Sequence, residues 1–209
     1  MLESSVPLTP PPRPSSFREY IFHHRLQVGL AAVALAGFIV HPRNIFGAWA
    51  IPGHIACVLL VLGGLGLRAW AGGSAGRHTR KATMEAPQLA TGGPFAYVRN
   101  PIYLASIILG LGMVGLLGDP WMFALYVAVF VFLYTAIVPA EEQFLRREFG
   151  EQYTRYCAHV PRLLPRFRRW SGAQAAEFHR DVVLGEVRLG FVLVGIYVFL
   201  RGCAWLRGW

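Results

Sequence analysis

Two separated runs of polar side chains carry whatever chemistry this chain can do. The first is Gly93-Pro94-Phe95-Ala96-Tyr97-Val98-Arg99-Asn100-Pro101-Ile102-Tyr103, and the second is the acidic pair Glu141-Glu142. Paired carboxylates can accept from ribose hydroxyls or balance a cationic ligand, and an aromatic ring can cover a flat purine. Taken singly, each piece has an ordinary structural reading. Glu141-Glu142 follows Pro139 and suits a first helical turn, where acidic groups complement the helix dipole. Arg99 suits a cation beside a membrane, and Tyr97 and Tyr103 suit interfacial aromatics. Their combined chemistry requires that the two runs meet, which depends on the segment between them.

That segment has the composition of a membrane hairpin. Asn100–Gly118 (19 residues) and Pro120–Ala140 (21 residues) contain no Asp, Glu, Lys or Arg, and Gly118-Asp119-Pro120 divides them as a tight turn. About 20 apolar residues cross a bilayer core. The two stretches therefore return Pro94–Tyr103 and Glu141-Glu142 to one face of the membrane. Pro101 falls at a helix start, where its missing N–H is harmless.

Two earlier uncharged stretches, Leu26–Pro42 (17 residues) and Asn44–Leu67 (24 residues), read as further spans. A fifth, Leu189–Leu200, has 12 residues between Arg188 and Arg201 and spans if both arginines snorkel. Hydrophobic residues make up 55% of the chain and charged residues 15%, against about 25% charged in soluble domains. The expected fold is an all-α integral membrane bundle of about five transmembrane helices. It comprises a disordered tail over 1–16, two helices over 17–72, a core over 73–170 and a C-terminal hydrophobic helix over 171–209. Within the core stand the hairpin 100–140 and an amphipathic helix 141–160.

The net charge of +9 is unevenly placed. Arginines and a lysine gather before span one, between spans two and three, and from Arg146 to Arg188, which by the positive-inside rule puts these segments in the cytoplasm. Leu145, Phe149, Tyr153, Tyr156 and Val160 recur every three or four residues, as in a helix lying at the interface with its basic face toward anionic headgroups. Pro161 and Pro165 end it, and Arg162–Arg169 reads as a membrane-surface anchor. No nucleic-acid partner is expected, since no nucleic-acid fold surrounds that cluster. Gly63, Gly64, Gly66, Gly72, Gly73 and Gly76 read as a helix-packing face with a flexible exit, and Arg68 as a side chain reaching the interface. Cys57, Cys157 and Cys203 lack metal-ligand spacing, so no metal is expected.

The ordered set Leu89-Ala90-Thr91-Gly92-Gly93-Pro94-Phe95-Ala96-Tyr97-Val98-Arg99-Asn100-Pro101-Ile102-Tyr103, then Glu141-Glu142, Leu145, Phe149-Gly150, Tyr153, Tyr156, Pro161 and Pro165, resembles the isoprenylcysteine carboxyl methyltransferase family. Phospholipid N-methyltransferases share a looser form. The resemblance covers about residues 65–167 and implies a membrane enzyme that binds S-adenosyl-L-methionine on the cytoplasmic side. It implies cofactor contacts from Leu89, Ala90, Phe95, Asn100, Pro101, Ile102, Tyr103, Glu141 and Glu142, with Arg99 and Tyr97 facing the acceptor. Asn100 stands where the family carries histidine, and the apolar Ile137-Val138 stands where carboxyl methyltransferases carry an arginine.

The resemblance singles out no catalytic side chain, and a lipophilic acceptor from the bilayer is the implied partner. Carboxyl O-methylation leads. Phospholipid N-methylation, an NADPH-dependent sterol or isoprenoid reductase, and a non-catalytic scaffold of the same fold stay open beside it, as does the oligomeric state.

Overall fold

Long uncharged runs must satisfy their backbone internally when they leave water, and helices do so within one segment. The structure, a computed structural model, has only helices as regular elements among its described residues, which are 35–36, 39–43, 45–75, 88–175 and 177–208. The N-terminal tail and most of the first span lie outside the described residues. Helix α1 runs Ala50–Ala75, α2 Pro101–Leu117, α3 Pro120–His159 and α4 Arg180–Leu206. Single 3-10 turns at Gly47–Trp49 and Gly93–Ala96 precede α1 and α2. The helices α1, α3 and α4 are each long and apolar enough to cross a membrane, and α2 is a shorter apolar helix. The protein is an all-α integral membrane protein.

The α2–α3 turn follows directly from Gly118-Asp119-Pro120. Gly118 closes α2 in the left-handed region at φ 67°. Asp119 caps α3 by accepting from the backbone N–H groups of Trp121 at 2.7 Å and Met122 at 3.2 Å. A Cβ on Gly118 would stand 2.5 Å from the Arg43 carbonyl oxygen. Gly118→Ala is therefore expected to destabilise the protein by about 2 kcal/mol, because the left-handed conformation alone costs an L-residue about 1–2 kcal/mol. A melting curve of the detergent-solubilised variant within a degree of wild type would contradict this.

Several expectations change. Pro139 does not start a helix, since α3 continues through it and places Glu141-Glu142 in its interior. At 40 residues α3 is about 60 Å long, twice a hydrocarbon core, so residues beyond Ala140 extend past the uncharged crossing. Gly150, at φ 48°, kinks this extension. The stripe expected to face lipid is instead covered by protein. Leu89, Tyr153, Tyr156 and Val160 form a buried cluster, with Leu145, Phe149, Cys157 and Trp170 against it. Amphipathic spacing shows that one face is buried, not what covers it.

The glycines of α1 admit close neighbours. A Cβ on Gly64 would stand 2.7 Å from the Leu109 backbone nitrogen of α2, so α1 and α2 touch nearly backbone to backbone. Gly72 and Gly73 are helical rather than a flexible exit, and Val182 and Phe178 pack over them. Helix α4 is correspondingly longer than the 12-residue apolar stretch, at 27 residues. Arg68 does not reach outward; its Nε donates to Glu186 of α4 at 2.9 Å and its Nη1 to Ser106 of α2 at 2.7 Å. Pairing neutralises charges that, unpaired, would be costly in a membrane helix. At the opposite end, Val40, Leu117, Leu200 and Ala204 form a second apolar cluster.

Candidate functional site

The loop before α2 is shaped by Gly93-Pro94, whose 3-10 turn lets the Tyr97 and Val98 N–H groups donate to the Pro94 carbonyl. Three ties hold this loop to the segment after α3. The Arg99 N–H donates to Pro161 O at 2.8 Å, the Arg166 N–H to Tyr97 O at 3.0 Å, and the Trp170 N–H to Ala96 O at 3.0 Å. From within α3 the Tyr156 hydroxyl also holds the loop, donating to Phe95 O at 2.7 Å. Backbone groups that would be orphaned in an irregular loop are thereby satisfied.

The hairpin brings the two polar runs together. The Tyr103 hydroxyl donates to Glu141 Oε1 at 3.0 Å. Glu142, only 5% exposed, receives Arg162 through Nε at 3.1 Å and again through Nη2, with Arg99 Nη1 at 3.6 Å. Arg99 Nη1 also donates to the Cys157 sulfur at 2.7 Å, which makes Cys157 an interior thiol of this site. Asn100 Nδ2 donates to Arg162 O at 3.1 Å, so the residue in the family's histidine position secures the turn that carries Arg162.

Electrostatics follow from burial and pairing. Burial pushes the Glu141 carboxyl above the ordinary carboxylate range, and the Tyr103 hydrogen bond acts in the opposite direction. The hydrogen bond to Glu142 raises the Arg162 guanidinium above its ordinary value. Glu141 is therefore the less committed carboxylate, and Glu142 the one saturated by protein cations.

The remaining expected residues are distributed around this centre. Pro101 is buried at the start of α2, and the Ile102 carbonyl accepts from Ser106 Oγ at 2.9 Å. Leu89 lies in the Tyr153–Tyr156–Val160 cluster, with Ala90 half-buried beside it in the chain. Tyr97 turns toward α1, its ring 6.3 Å from Trp70. Sequence reasoning placed Arg162 in a surface anchor, yet it is the principal partner of Glu142. Only the Val160-Pro161 stop at the end of α3 hinted that the chain turns back there. Tyr134, on the same face of α3 two turns before Glu142, also escaped notice; its ring meets Tyr103 edge to face at 5.9 Å.

A helical membrane hairpin whose end carries a loop-walled cluster of two carboxylates, two guanidiniums and phenols defines a membrane protein with a polar site beside the bilayer. The phospholipid methyltransferase family matches residues 42–152, more than half of the chain, and the chain belongs to that family. It is accordingly a membrane methyltransferase by family. The cobalt-zinc-cadmium resistance protein CzcN of Cupriavidus metallidurans is 25% identical over 202 residues, covering 93% of this chain and 91% of that protein. The nickel-cobalt-cadmium resistance protein NccN of Alcaligenes xylosoxydans xylosoxydans is 24% identical over 201 residues, covering 92% of each. The protein-S-isoprenylcysteine O-methyltransferase of Schizosaccharomyces pombe is 35% identical over 77 residues, covering 37% of this chain and 33% of that enzyme. No solved structure matches.

Proposed function

We propose that this protein transfers a methyl group from S-adenosylmethionine to a lipophilic acceptor at the cytoplasmic membrane face, with carboxyl O-methylation of a prenylated or similar acceptor as the leading reaction. The observation that carries the reading is the meeting of Arg99–Tyr103 with Glu141-Glu142 at one end of the hairpin. The residues fit such a cofactor. Glu141 has acceptor capacity beyond its one hydrogen bond from Tyr103, suited to ribose hydroxyls or an ammonium, and Arg99 Nε is a buried donor without a partner. Leu89, Ala90 and Phe95 supply the apolar wall of the loop, and Asn100–Tyr103 the floor at the start of α2. When bound, S-adenosylmethionine supplies a methyl group on a positively charged sulfur.

The chain's part is to align and to exclude water, and alignment of two reactants can supply several kcal/mol of a displacement barrier. The buried cluster of Leu89, Tyr153, Tyr156 and Val160 fixes the cofactor loop against α3 beside the site. A carboxylate acceptor is already nucleophilic and needs no proton removed. The family match keeps phospholipid N-methylation as a second reading, separable by identifying the methylated product.

Calorimetry with S-adenosylhomocysteine on the solubilised full chain tests this. Binding is expected, together with a loss of about tenfold or more in affinity in Glu141→Gln, the size of one charge-assisted hydrogen bond. The melting temperature of Glu141→Gln should stay near wild type, because Glu141 holds no cation. NADPH should give no heat. A well-folded sample that ignores S-adenosylhomocysteine would remove the proposal.

A further inference from the structure

After α3 the chain runs as a strap from Pro161 to Trp170, pinned through Pro161, Arg166 and Trp170 to backbone groups of residues 96–99. Those residues stand just before Pro101, where the uncharged helix α2 begins. The strap therefore lies at the level where α2 enters the membrane. Headgroup layers add about 10–15 Å in total to a hydrocarbon core of about 30 Å, so side chains at this level reach lipid headgroups.

The strap holds two large apolar side chains outward. Phe167 is 104% exposed and Leu164 is 78% exposed. Apolar groups presented together, on backbone stiffened by Pro161 and Pro165, mark a contact surface. Arginines surround them, but two are already engaged. Arg162 is committed to Glu142, and Arg166 Nη1 donates to the His159 carbonyl. Arg168 and Arg169 are exposed and make no hydrogen bond or ion pair among the described residues. The chain has no Asp or Glu from 152 to 176, so no acidic neighbour in the strap offsets them.

We propose that this strap docks on anionic phospholipid, with Phe167 and Leu164 set at the boundary of headgroups and acyl chains and Arg168 and Arg169 on lipid phosphates. Guanidinium forks match phosphate oxygens, and a headgroup without its own ammonium leaves that phosphate charge uncompensated. A soluble polyanion would meet the arginines but leave Leu164 in water. The lipid contact expected of helix 141–160 thus passes to the strap that follows it. Lipid holds from outside the same strap that Arg162 holds from inside through Glu142, whether or not the chain binds S-adenosylhomocysteine.

The test uses the full chain and two measurements. In nanodiscs of phosphatidylcholine mixed with phosphatidylglycerol, Phe167→Trp adds one fluorophore to the six tryptophans of wild type. The added emission is expected to be quenched by phospholipid brominated on its acyl chains and shielded from acrylamide in the water. In detergent, native mass spectrometry follows retention of phosphatidylglycerol against phosphatidylcholine. Wild type should retain phosphatidylglycerol preferentially. Arg168→Gln/Arg169→Gln should weaken that binding about twentyfold, roughly fivefold for each arginine, and keep the wild-type melting temperature. Added emission quenched by acrylamide and untouched by brominated lipid would overturn the docking. So would equal retention of phosphatidylglycerol by the double variant. Tighter binding of polyglutamate or single-stranded DNA than of phosphatidylglycerol, lost in the same variant, would overturn it in favour of a soluble polyanion.

Discussion

Glu142→Ala is expected to lower the stability of the protein by about 3–5 kcal/mol, the range found when one partner of a buried ion pair is removed. Glu142 is the shared counter-charge of two arginines. Arg162 meets it through two nitrogens and Arg99 through a third contact at 3.6 Å. Without the carboxylate, two guanidiniums face each other beside a site where the Glu142 side chain is only 7% exposed. The loss is also architectural, because Glu142 ties α3 both to the turn after Pro161 and to the loop before α2. For a chain of 209 residues, such a loss corresponds to a drop on the order of 10 °C in melting temperature, readable by tryptophan fluorescence. Arg162→Ala should cost less, since its side chain is 47% exposed and Arg99 still answers Glu142. A Glu142→Ala melt within 2 °C of wild type, on the same scale, would show that the carboxylate does not hold the site together.

Glu186→Leu alone is expected to be the second most damaging change, at about 3 kcal/mol, and Arg68→Leu/Glu186→Leu together should recover most of that loss. The pair is 2.9 Å long, with side chains 24% and 8% exposed, and it joins α1 to α4 within the apolar helices. A lone guanidinium left there can be relieved only by snorkelling, which the helix continuing to Ala75 restricts. Removing both charges substitutes apolar contact for the pair, and the Ser106 hydroxyl still donates to the Ile102 carbonyl at 2.9 Å. A double-mutant cycle on detergent unfolding measures this. Losses that simply add would mean that Arg68 and Glu186 act independently.

The hairpin was readable from residues alone because it rests on two local signals, the absence of charge over a bilayer's length and a Gly-Asp-Pro turn. The meeting of Tyr103 with Glu141 then follows from antiparallel geometry. Other features were misread for equally physical reasons. Pro139 resembles a helix start, yet a proline inside a membrane helix is tolerated where neighbouring groups and local adjustment satisfy the freed carbonyl. The stripe Leu145–Phe149–Tyr153–Tyr156–Val160 signals burial equally well whether lipid or protein covers it, and Leu89 and Trp170 cover it here. The C-terminal helix looked short because Glu186 and Arg188 interrupt its apolar run, and the Arg68 partner in α1 offsets the charge of Glu186.

From composition and order of residues come the crossings, the turn, and the set of carboxylates, guanidiniums and phenols at one membrane face, since each depends on neighbours within a helix or a turn. Which cation answers which carboxylate was decided in three dimensions. Arg162 and Glu142 are 20 positions apart and Arg68 and Glu186 are 118 apart, well beyond neighbours within one helical turn or one strand. Such pairs form because a charge withdrawn from water must find its opposite wherever packing delivers it, and packing is a property of the assembled helices.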